Sequence, residues 1–177
     1  MQRYRAILYM TRSYIPWVCY WMFSAYGFRC APVISLTIVA LILIPQCRKK
    51  NYSLMDVVML FYSVIAIVFN FYIKSDLFFK GDGYMGYGTL SIMAMTSIVF
   101  RYPFGRYYIE KENTEGRTFD NKEMSYIFSY IWLVVFLAST LIFAVIISPV
   151  MAIILSNIWV VFGIIGSIYE ISKNCSK

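Results

Sequence analysis

Six long apolar runs, broken by short polar loops, make up most of this 177-residue chain. They cover residues 13–28, 31–46, 54–73, 84–100, 126–147 and 150–169. A helix needs about 17–25 apolar residues to cross the hydrocarbon core of a bilayer. Only helices and closed barrels satisfy all their backbone hydrogen bonds there. The pattern predicts an all-α, polytopic transmembrane helix bundle of about six spans, forming one membrane domain over residues 1–177. The first run is the shortest, at about 24 Å of helix. It is expected either to span fully or to form a re-entrant hairpin with the second run. Its aromatic content and the lack of a small-x-small site after it argue for a retained helix rather than a cleaved signal peptide.

The loops repeat one sign of charge. With the N-terminus inside, thirteen of the sixteen Lys and Arg residues fall on the inner side: Arg3, Arg5, Arg12, Arg48, Lys49, Lys50, Arg101, Arg106, Lys111, Arg117, Lys122, Lys173 and Lys177. Only Arg29, Lys74 and Lys80 fall outside. Basic loops stay cytoplasmic, so both termini are expected in the cytoplasm, with the protein in an inner or plasma membrane. The net charge of +7 is thereby read as topogenic, and nucleic acid is not an expected partner. The lipid bilayer is, together with a membrane-protein partner or a second copy of the chain.

The chain is 60% hydrophobic and only 14% charged, which leaves little for a soluble domain. It has no histidine, which removes His-based acid–base chemistry, His metal sites and a Ser-His-Asp triad. No catalytic residue, metal site or cofactor is expected. The four cysteines, Cys19, Cys30, Cys47 and Cys175, have no CxxC spacing and imply no disulfide framework. No carboxylate is expected mid-span. Intramembrane acids are the usual mark of ion coupling, so this argues against a secondary transporter. Asn70 and Asn157 are expected to hydrogen-bond between helices.

Local signals place several elements. Ser53 with Asp56, and Asp120 with Glu123, have the spacing of a capping box and should open the third and fifth spans. Gly81, Gly83 and Gly86 spell GxGxxG, but no strand precedes them, so a flexible turn is expected rather than a phosphate loop. Small residues predict packing faces: Gly88, Ser91, Ala94 and Ser97 on the fourth span, and Ser156, Gly163 and Ser167 beside Asn157 on the sixth. These two helices should be buried, and the fifth should face lipid. The aromatics are expected in interfacial belts, among them Tyr9, Tyr14, Trp17, Tyr52, Phe78, Phe79, Tyr87, Tyr107 and Tyr108.

Residues 101–112 hold the densest unusual chemistry. Pro103 should stop the fourth helix. Arg101 and Arg106 should sit at lipid headgroups, or at a partner, with Tyr107 or Tyr108 dipping inward. Arg101, Pro103, Phe104, Tyr108 and the acids after it resemble the R-x-P-F-T-x-x-Y-x-x-E stretch of small bacterial inner-membrane proteins related to the intracellular septation protein A family. Phe119, the Trp132-to-Phe136 step and the order of spans are similar too. The resemblance implies a protein of the cell envelope and supplies no catalytic residue. The expected role is non-enzymatic, as a scaffold or partner-binding protein. The alternatives are a small transporter or channel component, and a membrane enzyme acting on lipid through Glu110, Glu112 and Glu115 with Arg101 and Arg106.

Overall fold

The structure, a computed structural model, describes residues 5–75, 77–112, 121–146 and 148–175. Among these it is entirely helical. The helices are α1 (Arg5–Ala25), α2 (Ala31–Arg48), α3 (Leu54–Ile67), α4 (Leu77–Lys80), α5 (Asp82–Val99), α6 (Arg106–Glu112), α7 (Asn121–Val145) and α8 (Pro149–Cys175). A π-helical stretch, Val68–Ile73, prolongs α3. Short connections force successive long helices to run antiparallel. Several ends share one stop. The chain turns left-handed at Gly27, Lys50 and Arg101, and the next N–H reaches back to the last turn, as Phe28 does to Phe23 O (2.9 Å) and Tyr102 to Ser97 O (2.9 Å).

Among the described residues four helical stretches, not six, are long and apolar enough by themselves to cross a membrane: Ala31–Arg48, Leu54–Ile73, Lys122–Val145 and Met151–Lys173. The two that fall short are α1, which carries Arg5 and Arg12, and α5, which carries Asp82, three glycines and several hydroxyls. Their position gives the physical reason. Helix α1 packs against α2, α3, α5, α6 and α8, and α5 against α7, α3 and α1. A helix faced mainly by other helices need not be apolar all round. Helix α1 is also continuous from Arg5, starting before the apolar run does.

The core is aromatic. Trp21 stacks on Tyr87 (4.3 Å between rings), Tyr87 on Phe143, and Trp17 lies 5.0 Å from Tyr62. Tyr14, Trp17, Phe78, Tyr87, Tyr107 and Tyr108 are thus buried rather than belted. Tyr52, Tyr72 and Tyr102 do lie exposed. Phe79's side chain, and Phe119 with Asp120 and its expected cap, lie outside the described residues.

The packing of the last helices reverses expectation. Helix α7 buries Phe128, Trp132, Val135 and Phe136, while α8 is the least buried of the four apolar stretches. The small face of α8 does make the contact. Trp132 Nε1 donates to Ser167 Oγ (3.2 Å), and a Cβ on Gly163 would stand 2.8 Å from Val135 Cγ2. Asn157 instead faces outward and donates to Ile153 O of its own helix (2.8 Å). Asn70 is buried, but its Oδ1 has no hydrogen-bond partner.

On α5, Ser91, Ala94 and Ser97 are buried as expected, but Gly88 is not the tight position: a Cβ there meets only Thr140 Cγ2, at 3.8 Å. The close approaches are at Gly83, which Phe143 covers, and at Gly86, where Trp21 Nε1 lies 2.6 Å from a Cβ. The GxGxxG stretch is therefore no flexible turn. Gly81 is the residue before α5, and Gly83 and Gly86 are its helix-packing glycines.

Candidate functional site at the basic end

The antiparallel run of helices collects the start of α1, the end of α2, the start of α3, the end of α5, all of α6, the start of α7 and the end of α8 at one end of the bundle. Arg5, Arg12, Arg48, Lys49, Lys50, Arg101, Arg106, Lys111, Lys122 and Lys173 belong to this end. Arg29, Lys74 and Lys80 belong to connections at the other.

A buried polar knot holds this end together. Ser53 Oγ accepts the N–H of Asp56 (3.4 Å), so the expected helix cap forms. The reciprocal half of the capping box does not. Gln46, from α2, stands between the partners: its Oε1 accepts the Ser53 N–H (2.8 Å) and its Nε2 donates to Asp56 Oδ2 (2.5 Å). The Ser53 hydroxyl also meets Tyr108 OH (2.7 Å) and accepts from Ser13 Oγ (3.4 Å). Four helices thus meet on one serine and one glutamine. Asp56 is fully buried inside the stretch Leu54–Ile73, and its Oδ1 has no hydrogen-bond partner. Asp56 is the third residue of that stretch, at its end rather than mid-span, and it is buried all the same. It reads in sequence as a cap, and only the fold of α6 and α2 over it reveals its burial.

The connector after α5 does turn sharply. Helix α5 ends at Val99, Arg101 takes the left-handed conformation (φ 59°), and the chain folds back over the bundle. Gly105 makes this return possible. Its N–H donates to Ser129 Oγ (2.9 Å), and a Cβ would press on Ser125 O at 2.8 Å. Phe104, Tyr107, Tyr108 and Ile109 are buried. Arg101 and Arg106 remain exposed on the outer side. Arg106 is paired with Glu110 (2.7 Å), which holds the guanidinium above its ordinary pKa, and it lies over the Tyr102 ring. Of the acids expected to serve an enzyme, Glu110 is tied up in this pair. The Glu112 side chain and Glu115 lie outside the described residues.

Behind the connector lies a cavity of about 80 Å³. Arg12, Lys49, Lys111 and Asn51 line it with the rings of Tyr9 and Tyr107, and Pro45 and Gln46 complete the wall. Lys111 Nζ lies 5.2 Å from the Tyr107 ring and 5.9 Å from the Tyr9 ring. No carboxylate among the described residues lines this cavity. Sequence reading singled out Arg101, Arg106, Tyr107 and Tyr108. Of these, the fold brings only Tyr107 to the cavity; Lys111 comes from the same helix α6, Arg12 from α1 and Lys49 from the end of α2. Their one sequence signal was basic charge on the expected inner side.

Burial pushes the Tyr107 phenol up to about 12 from its ordinary 10, and the neighbouring Asp56 adds to the rise. Burial raises Tyr108 further. Both fold as neutral phenols. A raised folded pKa contributes stability that is full below the unfolded value and lost as pH climbs through the folded one. The bundle is therefore expected to lose stability between pH 10 and about 12 in detergent, with Tyr107→Phe flattening part of that loss. A wild-type stability profile flat to pH 12 would show that water reaches this ring.

The chain matches no protein-family model, no curated protein and no solved structure.

Proposed function

We propose that this chain is a non-enzymatic integral membrane protein of the cell envelope, a scaffold that offers its basic end to a partner in the cytoplasm. In this reading α1 and α5 cross the bilayer inside the shell of the four apolar helices, and both termini are cytoplasmic in an inner or plasma membrane. The partner is another membrane protein or a second copy of the chain, held with the bilayer headgroups. The observation that carries the reading is the gathering of basic side chains at one end, around a cavity walled by cations and phenol rings and lined by no carboxylate among the described residues. Such an end is built to hold an anionic surface in place. The resemblance of residues 101–112 to envelope proteins of the septation type supports the same assignment.

The test is which side of the membrane the basic end faces. In a background lacking the native cysteines, Arg48→Cys and Tyr26→Cys are treated from outside with a membrane-impermeant thiol reagent. Both positions are exposed. Tyr26→Cys is expected to react, and Arg48→Cys only after the membrane is opened. Reaction of Arg48→Cys from outside would overturn the orientation and with it the docking role. A transporter reading is favoured by one observation, the buried Asp56, since an acid within a span is a common coupling group. A proton or solute flux in reconstituted vesicles that Asp56→Asn abolishes would replace docking with transport.

A further inference from the structure

We propose that the cavity between α1, α2 and α6 binds a phosphate group, the headgroup of an anionic phospholipid or a free phosphate ion. The inference deepens the docking reading and rests on it only for the side of the membrane from which the ligand comes. Three cations from three separate elements, Arg12, Lys49 and Lys111, converge on one small concavity. Asn51 adds an amide donor beside them. A guanidinium presents a planar fork that fits two oxygens of a phosphate, and ammonium groups neutralise the remaining charge.

The size agrees. One water needs roughly 10–15 Å³ by the same measure, so about 80 Å³ holds an ion the size of several waters. One of the cations is also held in place: Lys111 is flanked by the Tyr9 and Tyr107 rings. Tyr107 is fixed in turn by burial, on a helix whose next residue, Tyr108, is anchored to Ser53. Preorganised cations lose less freedom on binding than mobile surface ones.

The neighbouring surface shows where the rest of a lipid would go. A shallow groove lined by Arg5, Leu8, Tyr9 and Arg12 adjoins the cavity and shares Tyr9 and Arg12 with it. Leu8 is 64% exposed there. A phosphate in the cavity would leave an attached glycerol and acyl chain lying over Leu8.

The test uses the full chain in neutral detergent, titrated with short-chain phosphatidic acid in one series and inorganic phosphate in another, with melting temperature as the readout. A saturable rise is expected in at least one series. In Arg12→Gln/Lys111→Gln the half-saturating concentration should rise at least tenfold. Lys49→Gln, at an exposed position that leaves the fold intact, should weaken binding about threefold. Arg106→Gln, a cation at the same end but outside the cavity, should bind as the wild type does. A half-point for the lipid at least tenfold below that for phosphate, and weakened by Leu8→Gln, assigns the lipid headgroup. Equal half-points untouched by Leu8→Gln assign the free ion. No saturable rise in either series, or a rise that Lys49→Gln and Arg106→Gln change alike, overturns the site. Both sides of the protein are open in detergent, so a wrong membrane orientation would fail the thiol-labelling test and leave this one standing.

Discussion

Gln46→Leu is expected to destabilise the bundle by about 2–5 kcal/mol, because it strips partners from two buried groups at once. The Gln46 amide takes the Ser53 N–H at one end and serves Asp56 Oδ2 at the other. A leucine fills the space but answers neither. An unmatched buried polar group costs about 1–3 kcal/mol, and a carboxylate more. The double change Gln46→Leu/Asp56→Leu should recover part of the loss, since removing both partners of a buried pair is far less costly than removing one. Unfolding in mixed detergent measures both. A single mutant within about 0.5 kcal/mol of wild type, the scatter of ordinary surface changes, would show that water enters this knot and that Gln46 is no bridge between α2 and α3.

Gly163→Leu should cost about 1–3 kcal/mol, as overpacked cores do, whereas Leu137→Ala should cost little. A Cβ at Gly163 already stands 2.8 Å from Val135 Cγ2. The branched valine has few rotamers into which to retreat, so α7 and α8 must separate. Leu137 is 45% exposed on the outer face of α7. Trimming a side chain that faces lipid or detergent opens no buried void. The comparison reads out as detergent melting temperatures, several degrees lower for Gly163→Leu and near wild type for Leu137→Ala. Equal shifts would dissolve the claim that the small face of α8 is where it meets α7. Helix α8 is then a peripheral helix that meets α7 closely along its small face.

Much of the helical order was legible along the chain. Apolar runs of the right length report where helices lie, because every backbone group must find its partner within the segment. Local chemistry announced the Ser53 cap and the turn before Pro103, and an inward phenol at Tyr107 or Tyr108, where the fold buries both. Basic residues at alternate loops announced which ends gather together.

What the pattern could not report was which face of each helix meets which neighbour. Runs rich in Tyr, Trp and Phe fit an interfacial belt and a protein core equally well, since the same ring suits both. Trp17 and Tyr87 went to the core because α1 and α5 each pack against several other helices on one face. For the same reason these two helices tolerate the arginines, glycines and hydroxyls that keep them from being apolar enough to span alone. Small residues told that a close approach exists. Only packing decided that Gly83 and Gly86, and not Gly88, make it. The cavity is the clearest case. Arg12, Lys49 and Lys111 are far apart in sequence, on α1, at the end of α2 and on α6, and each reads as an ordinary base. They meet because Gly105 lets the connector fold back onto α7, bringing α6 against α1. Charge along a chain sets composition and the bias of each end. Convergence of charges on one point is a property of the tertiary fold, because it depends on contacts between residues that no local pattern couples.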